Sequence, residues 1–409
     1  MNKIKFLSLS LVALLMACFT ACESKYDVDH TAHIVGTWTY IGPNYAEALV
    51  IKEDGSVLST GIEDGEYWEN VAGTIKIKGN VATMTFEDGD NAIGHIDVVP
   101  GIAFSIYEED GEEWTFNYCA EDLSDEIVGM WVSNDGVKEN MGMTIQTFTK
   151  DGKAYFTGEA QFTGPTLNIE VAYKVVGDLM FQRMLDEDRE VLQNSFATRL
   201  TYASNGTSLG DIMTQITNLV EDNLEVVEYK SSWIRVKEGL NFTGKTYDYS
   251  AAYVTNAKGK DEDFTILNGT FNIDNINAGD FDVILGAGLY CVELNANSIK
   301  HKSRPYGEDV EVVTPITVDG NKVTLDFSTL YPALRKVDMY MYQSVNDSQL
   351  HMYMHTNAFI NYFANLEVMS LLKYGEIDPT DAAAVEKVFT NMEARVESIN
   401  VSWVFNARK

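Results

Sequence analysis

From residue 33 onward, apolar and polar positions alternate in short runs separated by turn residues. Thr74-Ile75-Lys76-Ile77-Lys78 alternates with period two, as do residues 81–86, 103–107 and 323–327. This is the pattern of strands with one buried face. Asp-Gly pairs punctuate the runs at Asp54-Gly55, Asp64-Gly65, Asp88-Gly89, Asp110-Gly111, Asp151-Gly152 and Asp319-Gly320. Such pairs readily supply the positive φ of tight hairpin turns. The pattern predicts antiparallel meanders. A unit of about 90 residues, at roughly 8 to 12 residues per strand, holds about eight strands, the number that closes a small up-and-down barrel.

Two regions depart from this alternation. Ser208-Leu209-Gly210-Asp211 leads into Ile212, Ile216, Leu219 and Val220, and Asp378-Pro379-Thr380-Asp381 leads into Val385, Val388, Phe389 and Met392. Both sets have helical spacing, with Ser208 and Thr380 or Asp381 placed as N-caps and Pro379 near a helix start. Residues 179–199 and 358–373 read as further helices. The expectation is a predominantly β chain with minor α content. Its helices fall in the second and third units, as a lid or plug over an open barrel end.

The units are marked by repetition, which sets the architecture. Ile34-Val35-Gly36-Thr37-Trp38 returns as Ile127-Val128-Gly129-Met130-Trp131. A second shared phrase follows each, Asp54-Gly55-Ser56-Val57-Leu58-Ser59-Thr60-Gly61 and Asp151-Gly152-Lys153-Ala154-Tyr155-Phe156-Thr157-Gly158. A third unit opens at Phe242-Thr243-Gly244-Lys245-Thr246-Tyr247, with tyrosine in place of tryptophan. Its residues 318–327 echo residues 77–86. Trp114, Trp233 and Trp403 each sit on a closing strand-like segment. At 409 residues the chain is long for a single core. The units fall at 33–123, 124–237 and 238–409, with 22–32 as a linker.

Residues 1–21 read as an export signal. Lys3 and Lys5 precede an apolar run, Phe6 to Met16, too short to span a bilayer, which takes roughly 20 apolar residues. The run ends in Phe19-Thr20-Ala21-Cys22-Glu23-Ser24, which resembles a bacterial lipobox. Cys22 is the expected lipid-bearing residue because the polar mature sequence starts directly after it; Cys18 is the competing acceptor. Multiple acyl chains would hold the protein at a membrane surface. The net charge of −31 becomes −33 once Lys3 and Lys5 are removed with the signal. So acidic a chain repels nucleic acid and anionic head groups. Cys119 and Cys291 then remain, too few for a disulfide framework, and read as separate small apolar groups.

The Val-Gly-x-Trp opening, the Asp-Gly hairpin after it and the lipobox together resemble the lipocalin-like lipoproteins common in Bacteroidetes, members of the calycin group of β-barrels. The resemblance covers residues 22 to about 160 well, extends to 237, and reaches the third unit through internal similarity. It implies tandem lipocalin-like barrels on a lipid-anchored cell-envelope protein of the outer membrane, its face left open. It also implies that Gly36, Trp38, Gly129 and Trp131 close the barrel bottoms. No ligand-contacting residue transfers.

Catalytic chemistry is hard to find. No Rossmann fingerprint appears, and no enzyme and no cofactor are expected. Residues 87–91 and 274–280 gather oxygen donors without the register of a calcium loop. In Gln349-Leu350-His351-Met352-Tyr353-Met354-His355 the two histidines have metal-helix spacing, but the glutamate of a zinc protease motif is absent. Read as a strand after Val337-Asp338-Met339-Tyr340-Met341-Tyr342, with a turn at Asn346-Asp347-Ser348, the segment forms a hairpin with a methionine face and a tyrosine and histidine face. Core packing, a ligand-lining surface and a metal site are the three readings, in that order.

Two functions follow. One is a binding module that encloses a small apolar ligand in a helix-bearing unit, with Met339, Met341, Met352 and Met354 as candidate lining residues. The other is a non-enzymatic surface scaffold with filled barrels, meeting an envelope protein or a glycan.

Overall fold

The computed structural model describes residues 31–87, 89, 91–107, 113–134, 143–158, 169–184, 196–207, 210–220, 226–242, 244–260, 269–272, 290–303, 310–378 and 380–408. The export signal and Cys22 lie outside them, as do Ser208 and Pro379.

The repeated phrases fold into the same hairpin twice. In the first unit Lys52 N–H donates to Ser56 O and Gly55 N–H to Lys52 O; in the second, Thr149 donates to Lys153 and Gly152 to Thr149. Gly55 and Gly152 have φ of 78° and 77°, a left-handed conformation in which glycine pays no steric penalty. The carbonyl of each glycine then accepts from the next strand, from Ile75 and Tyr173, at 2.8 Å in both cases.

Each meander closes on itself. Strands β1 (Gly36–Ile41), β2 (Tyr45–Ile51), β3 (Ser56–Glu63), β4 (Glu66–Lys78), β5 (Val81–Phe86), β6 (Asn91–Val99), β7 (Ala103–Tyr107) and β8 (Glu113–Cys119) form one closed antiparallel barrel. Trp38 stands opposite Tyr118 at its seam. The second barrel is β9 (Gly129–Ser133), β10 (Thr144–Phe148), β11 (Lys153–Gly158), β12 (Ile169–Val176), β13 (Leu179–Met184), β14 (Phe196–Thr207), β15 (Gly210–Val220) and β16 (Val226–Val236). Its seam sets Arg235 opposite Trp131.

The third begins at β17 (Thr246–Gly259), flanked by β18 (Gly269–Asn272). It continues through β19 (Cys291–Asn295), β20 (Ser298–Ser303), β21 (Val310–Asp319), β22 (Lys322–Asp326), β23 (Lys336–Gln343) and β24 (Gln349–His355) to β25 (Val396–Ala407). Pairing of β25 along β17 closes this barrel too.

Most of the first barrel is one compact unit, and the second and third together make another. Inside the first barrel Trp38, Leu49, Ile75, Phe104 and Phe116 form the core, whereas Lys76, Lys78 and Asp97 face out. The third barrel likewise carries cross-strand charge pairs on its outer face, Lys300 with Glu293 at 3.2 Å and Lys322 with Asp338 at 2.8 Å. An apolar inside and a charged outside reverse the arrangement of a lipid-spanning barrel. No helix of the described residues is long and apolar enough to cross a membrane.

The helices expected in the second unit are strands. Residues 179–184 form β13 and 196–199 begin β14, while Ile212, Ile216, Leu219 and Val220 lie on β15. A spacing of four fits period two as well as period 3.6, so Ile212 and Ile216 could not decide between them. Ladder pairing and β-branched Ile212, Thr214, Ile216 and Thr217 decide for the strand. On β13, Leu179, Met180, Phe181 and Gln182 are all buried, which erases the alternation a half-exposed strand would show.

The helices of the third unit do form, as α1 (Thr356–Tyr374) and α2 (Ala382–Arg395). α1 is buried on nearly every side, through Phe359, Ile360, Tyr362, Phe363, Leu366 and Val368, as befits a helix inside a core. Gly375, at φ 70°, ends it in a left-handed cap. α2 buries Val385, Val388 and Phe389, and Asp381 caps it by accepting from the N–H groups of Ala383 and Ala384 at 3.1 and 3.0 Å. Asp381→Ala should lower stability by about 1 kcal/mol, read as a lower urea midpoint at unchanged m-value.

The link from the second barrel to the third is pinned. Lys237 N–H donates to Gln343 O and Val345 N–H to Arg235 O. Lys237 and Lys245 both pair with Asp347 at the tip of the β23–β24 hairpin. Burial alone would raise the Asp347 carboxyl, but the two lysines outweigh it and hold it below its ordinary range.

Candidate functional site

The repeated Gly-x-Trp phrases adopt the same local geometry in two barrels. Trp38 and Trp131 are fully buried. Each indole N–H donates back four residues, to Ile34 O at 2.6 Å and Ile127 O at 2.7 Å. Gly36 and Gly129 sit at φ of +135° and +133°, where a side chain is strained. A Cβ on Gly36 would also lie 2.7 Å from the Tyr118 ring.

The two barrels differ in what covers the indole. Tyr118 meets Trp38 edge-on at 5.1 Å. In the second barrel the Arg235 guanidinium stacks 4.6 Å over Trp131, a cation–π contact. Arg235 also donates to Val128 O at 2.9 Å and to Glu126 O. It pairs with Asp211 at 3.2 Å, which accepts from Tyr202.

The β23–β24 hairpin has the two faces that its alternation predicts, with Met341 opposite Met352 and Tyr340 opposite Tyr353. Met339, Met341, Met352 and Met354 are 0–1% exposed and belong to the core that holds α1. The place a ligand would take beside them is occupied by the helix. On the other face, Tyr342 and Tyr353 pack against Val132, Met143, Ile145 and Val236 of the second unit. Asn134 joins in, its amide 3.3 Å from His351 Nδ1 and its carbonyl accepting from Ser402 at 3.1 Å. Burial pulls His351 down to about 4. This face therefore binds barrel to barrel.

The feature that sequence reading missed lies inside the second barrel, alongside Trp131. Register fixes which side chains point inward. Gln146 stands opposite Trp131, Gln182 opposite Tyr173, Thr198 opposite Met180 and Gln215 opposite Leu200; each partner belongs to the barrel core. Directly opposed residues share a face. Ser133, two residues beyond Trp131, joins them.

All five are buried. Gln215 Nε2 donates to Gln146 Oε1 at 2.7 Å, which ties β15 to β10 across the interior. Gln182 is 2% exposed, and its Nε2 has no hydrogen-bond partner among the described residues. The layer thus presents amides and hydroxyls beside Met213 and Trp233, and the two charges on the same strand faces, Arg235 and Asp211, pair with each other. Gln182 and Gln215 were hidden because both fell in stretches that read as helix. The usable signal was glutamine on the inward parity of a strand, as in Gln146-Thr147-Phe148 and Met213-Thr214-Gln215.

The other interiors are differently arranged. In the first barrel Glu47 accepts from Ser59 at 2.5 Å, and Ser59 accepts from Trp68 Nε1 at 2.7 Å, so the buried carboxylate is provided for. Among the described residues no three His, Cys, Asp or Glu side chains converge as a metal site. Neither Cys119 nor Cys291 is in a disulfide among the described residues.

No protein-family model matches this chain, and no curated protein aligns with it. Among solved structures, a porin-like protein from Bacteroides uniformis aligns at 8% identity over 48% of this chain and 92% of its own, with a TM-score of 0.12. A likeness that slight does not bear on function.

Proposed function

We propose that this chain is a lipid-anchored envelope protein of lipocalin-like barrels, in which the second barrel binds a small neutral molecule and the third is plugged by a helix. The Gln182 amide carries the reading. A buried donor without a partner is costly, and here it sits in a layer that already holds the Gln146–Gln215 bond. A ligand with an oxygen or nitrogen acceptor satisfies it. Arg235 and Asp211 already pair with each other, which favours a neutral compound, since a buried ion without a partner is penalised. An apolar body fits against Met213 and Trp233, so the ligand is part apolar and part hydrogen-bonding.

The site has moved from where the sequence put it. A ligand beside the four methionines would have to displace α1. The lipid anchor rests on the sequence of residues 1–22, and binding without catalysis rests on the amide and hydroxyl chemistry of the site.

Two substitutions test the reading. Cys22→Ser should move the protein from the membrane to the soluble fraction; membrane retention would refute the anchor. Gln182→Leu replaces an unpaired amide by an apolar group of similar size. It should leave the ligand-free protein as stable or up to about 1–3 kcal/mol more stable, and abolish the shift in melting temperature given by any retained ligand. A destabilised ligand-free Q182L would mean that the amide is already paired within the protein.

A further inference from the structure

The third barrel keeps its own unpartnered polar atoms beneath α1. On β20 and β21, His301 stands opposite Val312 and Thr314 opposite Ile299. Val312 and Ile299 belong to the inner core, so His301 and Thr314 share that inner face one diagonal step apart, roughly 7–8 Å between backbones. His301 is 1% exposed and Thr314 0%.

Tyr362 of α1 packs over the histidine, its hydroxyl 3.1 Å from His301 Nδ1. Burial raises the Tyr362 phenol far above its ordinary range and lowers His301 to about 3, so both stay neutral. Donation from the tyrosine O–H to Nδ1 gives the phenol proton a partner and leaves the imidazole proton on Nε2. Among the described residues His301 Nε2 has no partner, and neither does Thr314 Oγ1. In the same core, Trp403 packs against Phe363 of α1 and its indole N–H also has no partner among the described residues.

The geometry points to an enclosed binding site in the third barrel for one small neutral oxygen compound, which accepts from His301 Nε2 and bonds Thr314 Oγ1 beneath Tyr362. An anion is disfavoured because the nearby cations are engaged elsewhere. Lys300 and Lys302 on β20 pair with Glu293 and Glu311 on the outer face, and Arg335 pairs with Glu386 and Glu393. A neutral histidine does not compensate a buried negative charge. The chemistry has two sources, a trapped water or a small organic carbonyl or hydroxyl compound. α1 is the element that must lift for either to exchange. This site is independent of the one in the second barrel.

Thr314→Val and Thr314→Ser decide the matter on the whole chain. Valine keeps the shape and removes the hydroxyl. If the hydroxyl bonds a guest, the melting temperature falls with valine and falls less with serine. If the site is dry, valine removes an unpaired polar atom and the melting temperature stays level or rises, which overturns the proposal. Nuclear Overhauser spectra of the wild-type chain give a second reading. The His301 Nε2–H should show contacts to water or to protons that are not the protein's, and contacts to protein protons alone would overturn it. Native mass spectrometry then separates the sources, since an organic guest adds mass in a form that Thr314→Val loses, and a water does not.

Discussion

Trp131→Ala is expected to destabilise the second barrel by about 3–5 kcal/mol, the range for truncating a buried tryptophan. The substitution removes a fully buried indole and the bond to Ile127 O that ties the ring to the chain entering β9. It also strips the ring from beneath Arg235, whose guanidinium keeps its carbonyl partners but loses its packing surface. Denaturant unfolding should show the loss as a lower midpoint for this barrel. A variant that kept its stability but lost a ligand would contradict the structural role and place Trp131 in the binding site. Trp38→Ala should behave alike in the first barrel, where Tyr118 takes the place of arginine.

The second large effect is a loss of stability in mild acid. His301 and His351 are buried and neutral, lowered by burial to about 3 and about 4, whereas an unfolded histidine titrates near 6.5. Between those values the unfolded chain binds more protons than the folded one. Stability is therefore complete above pH 6.5 and falls as the pH drops, by about 1.4 kcal/mol per histidine per pH unit. At pH 5 the two together remove about 4 kcal/mol.

The carboxylates act in a lower window. Asp248 is held below its ordinary range by hydrogen bonds from Arg408, and Asp326 by Ser328 and then Lys336. Their contribution persists above an unfolded value of about 3.9 and disappears as the pH falls through their lowered values. Melting temperatures between pH 7 and 5 should therefore decline before Asp248 or Asp326 titrates. His351→Gln should flatten that slope by about half. A flat profile over this interval would show that the histidines are hydrated in the folded protein.

Much of the architecture was legible in the sequence because barrels of this kind rest on local rules. Asp54-Gly55 and Asp151-Gly152 fixed two hairpins, and the alternation of residues 337–355 fixed a third down to which side chains share a face. Asp381 announced α2. The second unit was misread where local rules conflict, since Ile212 and Ile216 satisfy a strand and a helix equally. Gln182 lost its meaning there, because a glutamine is read as exposed until the neighbouring strand is known to bury it.

The tyrosine and histidine face was visible as a face, but its partner was not. Nothing local to residues 340–353 says that Val132, Met143 and Ile145 of another barrel will cover them. The methionines were likewise placed on one side, while their neighbour, α1, was read as a lid or plug over an open end and packs into the core beside them. Interior layers such as Gln146, Gln182 and Gln215 are assembled from strands far apart in the chain, and only the closed barrel brings them to one level.

Native mass spectrometry on the chain from Glu23 onward, incubated with a total lipid and bile-type extract, tests the central claim most directly. The wild-type protein should retain one small molecule that Gln182→Leu, folded and equally stable, does not. A folded wild-type protein that stays free of any added mass, or a ligand held equally well by Gln182→Leu, would contradict binding at the amide layer of the second barrel.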